Sequence, residues 1–148
     1  GGFARVRVDG ILYDLREQTG RIWEQYLSRI SFAPCDSELT RTFYSCMYRA
    51  FLYPHKCHEY DKNGNPVHYC PHDGSTRNGV RYTDNGFWDT YRTCYPFYAL
   101  VAREEYKEMC RGFVNDYLEC GWLPRWVSLG EVGCMPTSSS PTIWYISG

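Results

Sequence analysis

The sequence predicts an all-α fold of helical hairpins joined by long loops, and three observations carry that prediction. Apolar residues recur at helical spacing in several separate stretches. The last two of these stretches are joined by a short link, which makes them antiparallel neighbours. Upstream of that hairpin, Gly and Pro recur too often for a regular element. With 148 residues, 43% of them apolar and 22% charged, the chain has the composition of one globular domain with a real core.

Each element follows from its local pattern. Residues 3–13 alternate weakly around Asp9-Gly10, the pattern of a short hairpin with a tight turn. From Leu15 the period changes, and Leu15, Ile22, Trp23, Tyr26, Leu27 and Ile30 form one helical stripe, despite the helix cost of Gly20. Asp36 or Ser37 can cap a second helix that buries Leu39, Phe43, Cys46, Met47, Ala50 and Phe51, and Tyr53-Pro54 stops it. Residues 54–81 read as one long loop, a length usually associated with function or flexibility. Thr83 or Asp84 caps a third helix carrying Trp88, Tyr91, Tyr95, Tyr98 and Val101, kinked or broken by Pro96. The fourth, roughly from Arg103 to Cys120, buries Tyr106, Met109, Cys110, Phe113, Tyr117 and Leu118 and ends on Gly121. Residues 127–148 lose the pattern and become rich in Ser, Thr and Pro.

Composition excludes several classes of partner. A net charge of -1 with scattered Lys and Arg gives no basic face for nucleic acid or anionic lipid. No apolar run approaches the roughly 20 residues of a membrane span. The eight cysteines form no CxxC pair, and several fall on helix faces, so most are expected to be free and buried as small hydrophobes.

Two strings carry chemistry: YTDNGFWDTYRTCYPF at residues 82–97 and GWLPRW at residues 121–126. A sugar site wants an aromatic platform, a carboxylate to accept from two vicinal hydroxyls, and a cation to hold that carboxylate. Trp88, Asp89 and Arg92 supply all three, and Trp126 a second platform on a loop stiffened by Pro124. The alternative is that Asp89 only complements the positive start of a helix while the tryptophans pack inward. His55, Cys57, His58, His68, Cys70 and His72 make a mixed cluster of zinc-ligand types, but their spacing matches no closed zinc pattern. Asp61, Asn63, Gly64 and Asn65 read as a turn, because a calcium loop needs regular acidic positions and a closing Glu. No nucleophile elbow, phosphate loop or HExxH is present. Carboxylates remain the catalytic candidates, and among 17 acidic residues abundance selects none.

The blocks MYRAFLYPH, DKNG, RYTDNGFWDTYRTCYPF, GWLPRW and GCM, in this order and spacing across roughly residues 15 to 135, resemble glycoside hydrolase family 92. The resemblance implies a calcium-dependent exo-α-mannosidase that removes terminal mannose from N-glycans with inversion, secreted or periplasmic. It implies a helical (α/α)6 barrel, of which residues 1–136 would be a fragment. Trp88 and Asp89 fall on the family's WDT motif, which lines the terminal-mannose subsite, and Arg92 on the motif arginine in a supporting role. The family's acid and base lie beyond the GWLPRW block, and its calcium ligands mainly so. No catalytic residue and no metal ligand is therefore assigned, and the chain alone is expected to be inactive. Residues 137–148 depart from the family's continuation and are expected to be a divergent, non-native tail. A non-catalytic helical module that binds carbohydrate or serves as scaffold is the alternative.

Overall fold

In the computed structural model the N-terminal stretch is one helix, α1 (Gly2–Leu27), in spite of Gly10 and Gly20, followed by α2 (Ser37–Ala50). The structure describes residues 2–33, 36–83, 85–121, 124–127 and 132–134, with side chains from residue 12 onward except those of 85, 88, 89, 125–127 and 132–134. The hairpin expected at residues 3–13 is instead helix. An isolated two-stranded hairpin is marginal in water, whereas extending an existing helix adds a hydrogen bond for each residue fixed. At α2 the expected cap is found: Asp36 Oδ1 accepts the Glu38 N–H at 2.7 Å, and the Asp36 carbonyl accepts the Thr40 N–H at 3.0 Å.

The stretch expected to be one loop folds into short strands. β1 (His55–Lys56), β2 (Glu59–Tyr60), β3 (Pro66–Tyr69) and β4 (Thr76–Asn78) lie within it, and β2-β3-β4 form an antiparallel meander. Its turns explain why Gly and Pro recur without abolishing regular structure. Asp61 Oδ1 accepts the N–H groups of Asn63 and Asn65 at 2.8 and 2.7 Å, closing the β2–β3 turn as an Asx turn. The Asp73 carboxylate accepts from the Ser75 N–H, the Ser75 hydroxyl and the Arg77 guanidinium, closing the β3–β4 turn. Those donors hold the Asp73 carboxyl well below the usual carboxylate range.

The third predicted helix also changes. Its first part is two strands, β5 (Tyr82–Thr83), paired with β1, and β6 (Asn85–Gly86). Only then come α3 (Phe87–Thr90), whose N-cap is Gly86 rather than Thr83 or Asp84, and α4 (Cys94–Val101). Pro96 is the third residue of α4, where its missing N–H is no loss, while its ring excludes a helical carbonyl four residues back at Arg92. The break therefore falls at Tyr91–Thr93, before the proline.

α5 (Arg103–Cys120) has the predicted limits, and Gly121 closes it in the left-handed region at φ 80°, donating to the Tyr117 carbonyl at 2.7 Å. Its buried face is rotated from the expected one. Tyr106, Met109, Gly112, Phe113 and Asp116 are buried, while Tyr117 and Leu118 are exposed. β7 (Pro124–Val127) and β8 (Val132–Cys134) complete a second antiparallel meander, β6-β7-β8. The long elements are thus helical, as expected, but three small sheets join them, so all-α describes only part of the described chain.

Two compact units divide the chain, one through Arg49 and one from Ala50. In the first, Trp23 packs on Tyr48 with centroids 4.4 Å apart, and the Tyr44 hydroxyl donates to the Ile30 carbonyl at 2.9 Å. Along its stripes Leu15, Ile22, Leu39 and Phe43 remain exposed, contrary to expectation for the last two. The second unit holds an aromatic core of Tyr82, Phe87, Tyr95, Tyr98, Tyr106, Met109 and Phe113. Burying side chains of this size is worth about 1.5–3 kcal/mol each. The Tyr98 hydroxyl donates within that core to the Ala50 and Tyr53 carbonyls.

Candidate functional site

One face of α5 carries Glu108, Gly112, Asn115, Asp116 and Glu119, spaced by three or four residues, so they stand in a row. Residues 79–83 run against that row. Gly79 makes the first contact, at φ +123°, where a Cβ would stand 2.5 Å from Asn115 Nδ2. The Asn115 amide then donates to the Val80 carbonyl at 2.9 Å. Arg81 Nε donates to Asp116 Oδ1 at 3.4 Å, both side chains being buried. At Gly112 a Cβ would meet Tyr82 at 3.3 Å from its ring and 3.4 Å from its backbone nitrogen, so any larger residue would push Tyr82 away by a few tenths of an ångström. Finally the Tyr82 hydroxyl donates to Glu108 at 2.6 Å.

The electrostatics of this row are uneven. Asp116 is buried with Oδ2 lacking any hydrogen-bond partner. Desolvation raises its pKa to about 6, against the opposing pull of Arg81. Glu108 behaves oppositely: burial pushes its pKa up, but the Tyr82 hydroxyl and Lys56, 3.1 Å away, bring it below the ordinary value. Beside Asp116, His68 spans two elements, with Nδ1 2.9 Å from the Gly79 carbonyl and Nε2 2.8 Å from Glu119. His58 Nδ1 lies 3.1 Å from the Arg81 carbonyl. His58 and His68 therefore hold the polypeptide through these contacts, and no group of three or more His, Cys, Asp or Glu gathers around a metal position among the described residues. The Asp61 turn is likewise saturated by its own N–H groups.

Directly downstream of the anchored segment stand the residues expected to bind sugar. Trp88 and Asp89 belong to α3, whose first turn is closed by the Thr90 hydroxyl on the Gly86 carbonyl at 3.0 Å. Trp126 belongs to β7 and is the register partner of Gly86, with Val127 opposite Asn85. The backbone thus brings the two motif strings, far apart in sequence, onto neighbouring strands that lead into α3. The side chains of Trp88, Asp89 and Trp126 lie outside the described residues, as do Trp122 and residues 137–148. Arg92 is exposed, and its Nε donates to the Tyr91 hydroxyl at 2.6 Å.

Sequence reasoning missed Arg81, Asp116, His68 and Glu119 as members of one buried polar group. A signal was present: Gly112 in mid-helix costs about 1 kcal/mol against Ala unless something approaches there, and polar residues flank it at helical spacing.

Comparisons with known proteins agree with this architecture. The structure is similar to that of a family 92 inverting mannosidase from Bacteroides thetaiotaomicron, at 42% sequence identity and a TM-score of 0.75. That similarity covers 90% of this chain, which spans only 18% of the length of that enzyme. No curated protein matches the chain. The model of the glycosyl hydrolase family 92 catalytic domain matches residues 8–145, and so the chain belongs to that family.

Proposed function

We propose that this chain contributes the terminal-mannose subsite of an exo-acting, inverting α-mannosidase of N-glycans. Family membership together with 42% identity to an inverting mannosidase carries the reading. In it, Trp88 and Trp126 offer ring faces to the sugar, Asp89 accepts from two hydroxyls, and Arg92 supports that carboxylate. The β6–β7 pairing favours the grouping, since it brings the backbones of both strings together. Inversion needs an acid on the leaving oxygen and a base on water, with carboxyls about 6.5–9.5 Å apart. Neither is assigned to this chain, which fits its 18% share of the related enzyme.

The same reading makes residues 1–136 one part of an (α/α)6 barrel, with the exposed stripe of Leu15 and Ile22 covered by other helices of the intact domain. It places the enzyme in a secreted or periplasmic setting. Calcium dependence belongs to it too, with ligands mainly from other segments of the intact enzyme. No described helix is long and apolar enough to cross a membrane.

Hydrolysis of α-mannobiose by the intact enzyme, with and without a calcium chelator, tests the reading. Two charge-assisted hydrogen bonds at about 1.5–3 kcal/mol each predict that Asp89→Ala lowers kcat/KM by on the order of 10²–10⁴-fold. An Asp89→Ala enzyme with undiminished kcat/KM would remove Asp89 from the subsite. Release of mannose by the 148 residues alone would refute the assignment of the acid and base elsewhere.

A further inference from the structure

We propose that Glu119 holds His68 with a proton on both ring nitrogens, and that this pair is a pH-sensitive clasp fastening the β2-β3-β4 meander to the last turn of α5. The clasp is independent of the sugar reading.

Donor and acceptor chemistry carries the assignment. Both ring nitrogens of His68 are engaged, Nδ1 with the Gly79 carbonyl at 2.9 Å and Nε2 with Glu119 Oε1 at 2.8 Å. Turning the ring over would put carbons at both contacts, so the orientation is fixed by them. A carbonyl oxygen only accepts, and Nδ1 must therefore carry a hydrogen. A ring with that hydrogen alone would aim the Nε2 lone pair at a carboxylate, and two acceptors do not close to 2.8 Å. A second proton accordingly lies in the contact with Glu119. It makes the pair neutral overall, which suits side chains that are 0% and 8% exposed.

The surrounding charges place that proton on the ring. From α5, Asp116 acts on His68 as a second carboxylate, and Arg81 lies against Asp116. Arg77, the register partner of His68 on β4, pairs with Asp73 and also attracts Glu119, which favours the ionised carboxylate. The Cys70 thiol faces Glu119 too, and burial raises its pKa, so it adds no charge of its own. With Glu119 ionised, Nε2 carries the hydrogen. Removing it would set a lone pair against a carboxylate, and the contact has to open. The clasp is therefore closed in acid and at neutrality and released in alkali, freeing β3 from the α5 turn just before Gly121, where the GWLPRW string begins. An imidazole in the unfolded chain gives up its second proton near about pH 6.5, so above that pH the folded chain holds one proton more. The folding constant then loses about tenfold per pH unit through this pair.

Proton–nitrogen correlation spectra of the imidazole rings in the nitrogen-15-labelled chain count the ring hydrogens, with the His68 signals assigned by their absence from His68→Gln. At about pH 8 the wild-type chain is expected to show both His68 nitrogens protonated. In Glu119→Gln the side-chain amide can donate to Nε2, so the ring should keep the Nδ1 hydrogen alone. The ratio of the wild-type folding constant to that of Glu119→Gln should fall about tenfold per unit from about pH 7 to 8.5, a range above the titration of Asp116 near 6. Where the wild-type ring loses its second proton, the amides of residues 66–69 should lose at least about tenfold in hydrogen-exchange protection relative to Glu119→Gln at the same pH. A wild-type Nε2 without hydrogen at pH 8, a doubly protonated ring in Glu119→Gln, or a folding ratio flat in pH would overturn the assignment. Unchanged protection of residues 66–69 across the loss of the proton would overturn the clasp. Should Glu119→Gln fail to fold, the wild-type ring spectrum decides the protonation by itself.

Discussion

The two units of this chain use similar sequence patterns to opposite ends. In the first, α1 and α2 display helical stripes, yet Leu15 and Ile22 are 52% and 53% exposed and Leu39 is 63% exposed, with Met47 the one apolar residue of α2 fully buried. In the second, α5 packs a stripe of the same kind into a core where Tyr95 and Tyr98 are fully buried, and sets a polar row beside it that holds residues 79–83. Periodicity shows that a face is meant to be covered. It does not show what covers it.

Phenylalanine truncation should break that comparison most visibly. Phe113→Ala is expected to cost about 3–5 kcal/mol in denaturant unfolding, against less than about 1 kcal/mol for Phe43→Ala, since only the first leaves a cavity. Equal losses would mean that the first unit is packed as tightly as the second. Next in size is Arg81→Met, expected to cost about 3 kcal/mol because it strands a buried carboxylate. Replacing both partners by apolar residues should recover most of that loss.

Protonation sharpens the same contrast. Asp116 titrates near 6 in the fold against an ordinary 3.8, so it favours folding below about pH 4 and loses that contribution as pH rises through 6. A shift of about two units corresponds to on the order of 2–3 kcal/mol. Glu108, whose pKa is lowered, acts in the opposite sense, contributing above its unfolded value and failing as pH falls. The stability difference between wild type and Asp116→Asn across pH 4–8 isolates the first effect, and a difference flat in pH would contradict it. Gly79→Ala follows, at about 1–3 kcal/mol, from its positive φ and the close Asn115 amide. Smallest is Ile22→Ser in α1, expected to stay within about 0.5 kcal/mol in the isolated chain because that side chain is already exposed.

Those expectations also show which parts of the molecule were legible beforehand. The extent of α5 could be read because a long amphipathic period and Gly121 agree, although the face it buries could not. The Asp36 cap and the Asp61 turn were legible because a short carboxylate beside free N–H groups has few other uses. The strands between His55 and Asn78 were not, since two-residue ladders have no period to detect and owe their existence to partners distant in sequence, such as Thr83 for His55. The helix expected from Thr83 gave way to β5 and β6 for the same reason. For the site, the motif strings were legible as residues but not as neighbours. Only the pairing of Gly86 with Trp126 joins their backbones, and only tertiary packing reveals that Asp116, a polar residue on a helix, is buried.

Hydrogen exchange resolved by segment tests the central contrast most directly. The amides of α5 and of residues 79–87 should exchange together and slowest of all, with α1 exchanging markedly faster, and Arg81→Met should loosen the first group while leaving α1 unchanged. Protection of α1 equal to that of α5, or an Arg81→Met variant that leaves residues 79–87 as protected as before, would contradict the account.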